Sequence, residues 1–207
     1  MSFRIVLAVA ILVCISASAL AQGNRHNPDD VAIELIGQVT NLSPATAFQC
    51  GYLSYINGTD SPIFSGTPQN ETTALFTFYS DNVTTRVVNN GPIRVINREE
   101  GTFTVYLDGN PNGNFANPDT FRDGQPLLTA SLRHQVILDT ITGAFTATFV
   151  LTVTSTNSFV FNGRETRMGK VGDKLRLTFN GHLNAVAPPS GHIAGYIVGS
   201  SLIKKED

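Results

Sequence analysis

From Val31 onward, apolar and polar residues alternate along most of the chain with a period of two. This alternation is typical of a β-strand with one buried face, because successive side chains of a strand point to opposite sides. No stretch of ten or more residues shows the 3.6-residue period of an amphipathic helix. We therefore predict an all-β protein.

The clearest strands span residues 127–141 and 144–155. Between them lies the segment 139–143, which ends in Gly143, a residue suited to a positive φ in a turn. These features predict a long hairpin. The residues predicted to face inward are Leu128, Ala130, Leu132, His134, Val136 and Leu138 in the first strand, and Phe145, Ala147, Phe149, Leu151 and Val153 in the second.

About eight strands with short turns predict a single antiparallel β-barrel, with a β-sandwich as the alternative. We favour the barrel because strands of up to fifteen residues would leave long exposed edges in an open sheet. The build is calycin-like in architecture. It is similar to lipocalin-like carriers and to small secreted cyclase and dirigent-type barrels, but such a likeness does not fix function. The other predicted strands are 31–39, 48–56, 75–88 with an interruption near 81–82, 93–96, 102–107, 174–183 and 193–198.

The N-terminal segment has the composition of a cleaved export signal. Arg4 precedes an apolar run at 5–15, and Ala19-Leu20-Ala21 is an A-x-A cleavage pattern. The run is shorter than the roughly 20 residues that span a bilayer. We expect a secreted or periplasmic protein beginning at Gln22. The predicted division is a signal peptide at 1–21, a flexible leader at 22–30, one β domain at 31–203 and a charged tail at 204–207.

Charge and cysteine content narrow the classes of partner. The formal net charge is −2 with 14% charged residues, and no Lys/Arg-rich face predicts nucleic-acid binding. No later segment is apolar enough to predict a membrane span. Cys14 leaves with the signal, so Cys50 has no partner for an internal disulfide. We expect Cys50 to be buried, where it behaves as a small apolar residue.

His134 is the residue that best predicts a site, because it lies on an apolar face. Such a histidine serves as a general base, as a donor to a ligand, or as a core residue bonded to a neighbour. We expect it to be neutral, with a fixed protein partner as the commoner case. Cys50 and Tyr52 share one face of their strand and are expected to line the same interior. His134 and Tyr52 are thus the predicted ligand-binding residues, and both are candidate catalytic residues together with Cys50.

The segment 108–119 matches the oxygen-ligand spacing of a calcium loop. Against calcium stand its two carboxylates, its final Asp in place of Glu, and its position between strands. The alternative is a surface connection rich in turn residues. No other cofactor is predicted. The candidate ligands are Asp108, Asn110, Asn112, Asn114 and Asp119.

The sequence also contains glycosylation sequons and a group of basic residues. Asn57, Asn70 and Asn82 stand in glycosylation sequons, which matter only in a host that glycosylates, and a fourth sequon at 41–43 is weakened by Pro44. The basic residues near 164–170 are interpreted as part of a solvated loop of mixed charge.

The sequence contains no G-x-S-x-G, H-E-x-x-H or C-x-x-C motif and no phosphate-binding glycine loop. We therefore favour a secreted binding or interaction module over an enzyme. Its partner would be a small apolar ligand or an extracellular protein, and its oligomeric state is open. One alternative is a cofactor-free isomerase or cyclase with His134 as base and Tyr52 as donor. Another is an extracellular structural protein with a solid core.

Overall fold

A computed structural model describes residues 31–59, 61–199 and 203–205. The predicted export signal and leader lie outside these residues, as do residues 206–207 of the predicted charged tail. Within the described ranges the regular elements are β-strands and one short 3-10 helix, which confirms the all-β prediction. None of the described residues belongs to a helix long and apolar enough to cross a membrane.

The 3-10 helix Pro118–Phe121 lies between β4 and β5. The strands are β1 Val31–Asn41, β2 Thr46–Ile56, β3 Phe76–Asn90, β4 Ile93–Leu107, β5 Gln125–Asp139, β6 Ala144–Thr156, β7 Ser158–Phe161, β8 Arg164–Met168, β9 Lys174–Leu183, β10 Gly191–Val198 and β11 Ile203–Lys205.

Eight of these strands close into an antiparallel barrel in the order β1-β2-β3-β4-β5-β6-β9-β10, with β10 pairing back to β1. The barrel prediction is confirmed and the sandwich alternative falls away. Closure leaves no free edge in this sheet, which is how long strands avoid pairing with other chains. The strands β7, β8 and β11 form a separate small sheet.

The predicted long hairpin is present as β5 and β6, with His134 opposite Phe149. Gly143 has a φ of 77°, as its place in the turn predicts. The Asp139 carboxylate accepts hydrogen bonds from the backbone N–H groups of Ile141 and Thr142, which fixes the turn. The inward faces of both strands are as the alternation predicts.

The two ends of the barrel differ. At one end, here called the hairpin end, short turns join β1 to β2, β3 to β4, β5 to β6 and β9 to β10. Long connections occupy the other end, where the Phe76 ring makes edge contacts with Phe159 and Phe161 of β7. Gly37 and Gly51 make room inside for the Phe78 ring, which lies 2.9 Å from where either Cβ would stand. This half of the interior is filled with side chains.

β4 is one strand of fifteen residues, where the sequence predicts two short ones. A β-bulge interrupts it: between the pairs Arg98–His134 and Gly101–Leu132, β4 advances three residues while β5 advances two. Glu100 adopts a φ of 55° there. The extra residue shifts the inward positions by one. Phe103 faces the core on one side of the bulge, and Arg98 faces the interior on the other.

The segment interpreted as a solvated loop is the hairpin β7–β8. Phe159 and Met168 are buried in the main core, while Arg164 and Arg167 are exposed. The loop interpretation is therefore wrong, because this segment buries one face of its own against the barrel.

Candidate ligand-binding cavity

A cavity of about 370 Å³ lies inside the barrel and extends to the hairpin end, where Ser43, Pro44 and Leu183 line it. Most of its wall is apolar. Its main apolar residues are Val136, Leu138, Phe145, Phe149, Phe179 and Ile193.

His134 lines the inner part of this cavity and is only 5% exposed. Its ring stacks on Phe149 with centroids 4.0 Å apart. Burial, and then the nearby charge of Arg98, lower the pKa of His134 to about 3, so the imidazole is neutral at pH 7. The predicted inward position of His134 is confirmed.

The expected fixed partner of His134 is absent among the described residues. Both ring nitrogens are buried, and neither has a protein hydrogen-bond partner there. One face of the ring is stacked on Phe149, which offers no hydrogen-bond partner. A neutral imidazole carries one hydrogen-bond donor and one acceptor. A hydrogen-bond partner for His134 would therefore have to sit in the cavity.

Two residues on neighbouring strands also have a buried polar atom without a described hydrogen-bond partner. Arg98 stands opposite His134, and Thr84 stands opposite Arg98 on the next strand. The Nε of Arg98 and the Oγ1 of Thr84 are both buried without a described hydrogen-bond partner, and both residues line the cavity. We call Thr84, Arg98 and His134 the polar row. Such orphaned groups are rare in native interiors.

Arg98 is held by side-chain amides. Its Nη2 donates to Asn41 Oδ1 at 2.7 Å and its Nη1 to Asn82 Oδ1 at 3.3 Å. Gln49 Oε1 accepts from Asn82 Nδ2 at 3.0 Å and from the Ser80 hydroxyl. Burial lowers the pKa of Arg98 from its ordinary value. The network fixes the guanidinium without neutralising its charge.

Tyr52 and Cys50 do not line this cavity, and the prediction that they share an interior with His134 is wrong. Gly51, between them, faces inward against Phe78, so both side chains point outward. Cys50 packs there with Phe48 and Phe121 under the connection between β4 and β5. The sequence could not distinguish the faces because residues 47–53 of β2 are all buried.

Cys50 is buried, as predicted, and burial raises the pKa of its thiol to about 12. Because the thiolate is the reactive form, we expect Cys50 in the folded protein to resist Ellman's reagent. Full reaction should follow denaturation in guanidinium chloride. Rapid stoichiometric labelling of the native protein would contradict this buried position.

The candidate calcium ligands are used within their own loop. Asp119 binds Arg122 at 2.6 Å, and Asn112 donates to Asp123. Asp108 accepts from the backbone N–H of Asn110 through one oxygen, while its other oxygen is buried and unpaired. Among the described residues, no three His, Cys, Asp or Glu side chains converge on a metal position. Calcium binding stays a prediction.

The three sequon asparagines have different surroundings. Asn57 and Asn70 are half-buried on outer loops. Asn82 is 3% exposed inside the barrel, where it bonds Gln49 and Arg98. A glycan on Asn82 would not fit this fold, so that candidate is wrong.

Sequence reasoning missed Arg98 and Thr84. The inward direction of Arg98 depends on the bulge in β4. Thr84 continues the inward alternation of β3, but the inward residues just before it, Ser80 and Asn82, are polar and do not mark a buried face. The signal was present in the pair Glu99-Glu100, two exposed charged residues in succession within an otherwise alternating strand.

Comparison of the chain with protein-family models, with curated proteins and with solved structures finds no significant match. The cavity's own chemistry therefore carries the functional conclusion.

Proposed function

We propose that this protein binds a small, largely apolar molecule inside the barrel, with a polar group of the ligand at the polar row. The observation that carries the proposal is the set of buried, unpaired polar atoms of Thr84, Arg98 and His134 lining one cavity. Unpaired buried polar groups destabilise a fold. A ligand that pairs with them removes that cost.

The size and wall of the cavity support the same proposal. A volume of about 370 Å³ is within the range of about 300–1,000 Å³ that is usual for small-molecule sites. Native interiors seldom leave voids much larger than a water molecule. Apolar walls with a few polar groups at one point are the usual composition of such sites.

Binding is better supported than catalysis. A general base works best with a pKa near the operating pH, and the pKa of His134 is lowered to about 3. Tyr52, the predicted donor of the enzyme hypothesis, is on the outer face of β2. The solid core that the structural-protein alternative assumes does not match the hollow hairpin half.

The predicted export signal at 1–21 extends the proposal to a carrier or scavenger acting outside the cytosol. Its ligand would reach the site through the hairpin end. No protein partner is needed for binding, because the site is formed by one chain.

A neutral apolar dye tests the proposal. We expect N-phenyl-1-naphthylamine to bind one-to-one, with a saturable rise in fluorescence. Ala147→Phe places a ring in the cavity and should weaken binding at least about tenfold. Thr148→Phe, one residue along on the outer face, should leave it unchanged.

Circular dichroism and melting temperature verify that each variant is folded. Val136→Phe, which fills the cavity from β5, replaces Ala147→Phe if that variant does not fold. The proposal is wrong if the dye does not bind the wild type, or if it binds a folded cavity-filled variant equally well.

A further inference from the structure

Arg98 is a buried cation that pairs with no carboxylate of the described residues. It is 7% exposed, and its partners are the neutral amides of Asn41 and Asn82. An arginine keeps its charge in proteins. Buried charges are normally paired with an opposite charge. This site therefore has an unfilled requirement for an anion.

The charge of the whole cavity has one sign. Arg94 lies on the same inward stripe of β4, toward the hairpin end, and no Asp or Glu is among the described lining residues. His134 is neutral at pH 7 because burial lowers its pKa to about 3. A low-dielectric cleft lined by one sign of charge concentrates ligands of the opposite sign.

The donors of the polar row suit an oxygen anion. Thr84 has a hydroxyl, Arg98 an unpaired Nε–H, and neutral His134 one ring N–H, on three adjacent strands. A carboxylate accepts hydrogen bonds only, at two oxygens. Charge-assisted bonds from arginine to a carboxylate are among the stronger hydrogen bonds in proteins.

Resting on the proposed function, we infer that the ligand is an apolar monocarboxylic acid whose carboxylate meets Arg98 and whose apolar body points toward the hairpin end. One negative charge matches the one buried guanidinium. A phosphate monoester carries about −1.5 to −2 at pH 7 and would leave charge uncompensated beside the neutral imidazole. The apolar body contacts Val136, Leu138 and Phe145, which continue the wall beyond the polar row.

Isothermal titration calorimetry with octanoate, 1-octanol and octyl phosphate at pH 7.5 tests this inference. The chains have the same length, so the head group alone differs. We expect octanoate to bind at least about tenfold more tightly than either other compound. Arg98→Met should remove the preference over 1-octanol, because the affinity for octanoate falls much further than the affinity for the uncharged 1-octanol.

Arg133→Met is the matched control, because Arg133 is exposed on the outer face beside His134. It should bind octanoate as the wild type does. Thr84→Val removes one donor at nearly constant volume. It should weaken octanoate several-fold and weaken 1-octanol less, so the inference stays testable if Arg98→Met does not fold.

The outcomes separate the inference from the proposed function. Equal binding of octanoate and 1-octanol, or tighter binding of octyl phosphate, overturns the carboxylate and leaves a barrel that binds small molecules. If the neutral dye binds but octanoate does not, the carboxylate inference is likewise overturned and the proposed function stands. Failure of the dye and all three compounds overturns both. An octanoate preference that survives in folded Arg98→Met overturns the role of Arg98.

Discussion

Phe149→Ala is expected to lower the free energy of unfolding by about 3–5 kcal/mol, the usual cost of truncating a large buried aromatic residue. Phe149 is 1% exposed and lies between the stacked ring of His134 and the edge of Phe179, whose centroid is 5.6 Å away. Thr148→Ala, one residue earlier, should cost less than about 1 kcal/mol because its side chain is on the half-exposed outer face.

Chemical denaturation followed by circular dichroism measures both variants, provided that the denaturant slope stays constant. The pair tests the register of β6, because a slip of one residue would exchange its two faces. Equal losses at the two positions would contradict the pairing of Phe149 with His134 and Leu177.

Acid should destabilise the wild type more steeply than His134→Phe between about pH 6.5 and pH 3. The pKa of His134 falls from 6.5 to about 3 on folding. The unfolded chain therefore binds a proton in this window that the folded chain does not. The contribution of neutral His134 to the free energy of unfolding is fully present above about pH 6.5. It declines as the pH falls, by up to about 1.4 kcal/mol per pH unit.

Urea unfolding at half-unit pH intervals measures this difference. Arg98 faces His134 from β4 and stays charged throughout, while Phe149 faces it from β6 and does not titrate. Asp139, with its pKa lowered by backbone hydrogen bonds from Ile141 and Thr142, is present in both proteins and cancels. Parallel pH profiles for the two proteins would refute the buried, neutral state of His134.

The sequence predicts the barrel well where each strand has one buried and one exposed face. In β5 and β6 the alternation is unbroken over the inward positions, so the hairpin and the inward direction of His134 follow from it. Alternation fails where a bulge adds a residue. The bulge at Glu99-Glu100 turns Arg98 inward, and the same extra residue makes one strand look like two.

The sequence also fails to predict which face of β2 points into the barrel, and the cause is different. Both faces of β2 between Ala47 and Leu53 are buried, one in the barrel and the other under residues 108–124. A sequence pattern distinguishes faces only by a contrast between apolar and polar positions, and here there is none. For this reason Tyr52 and Cys50 could not be assigned to a side from the sequence.

The closure of the barrel by β1 and β10 has a consequence for how the protein folds. The pair Val31–Val198 joins the first and the last strand of the barrel, which are far apart in the sequence. Contacts between residues so far apart along the chain form slowly. Val39 of β1 and Ile193 of β10 both belong to the cavity wall. A nascent chain therefore has no complete pocket until β10 has emerged and paired. A ligand bound as proposed would therefore not guide the early stages of folding, and it would stabilise the barrel only after the β1–β10 seam has closed.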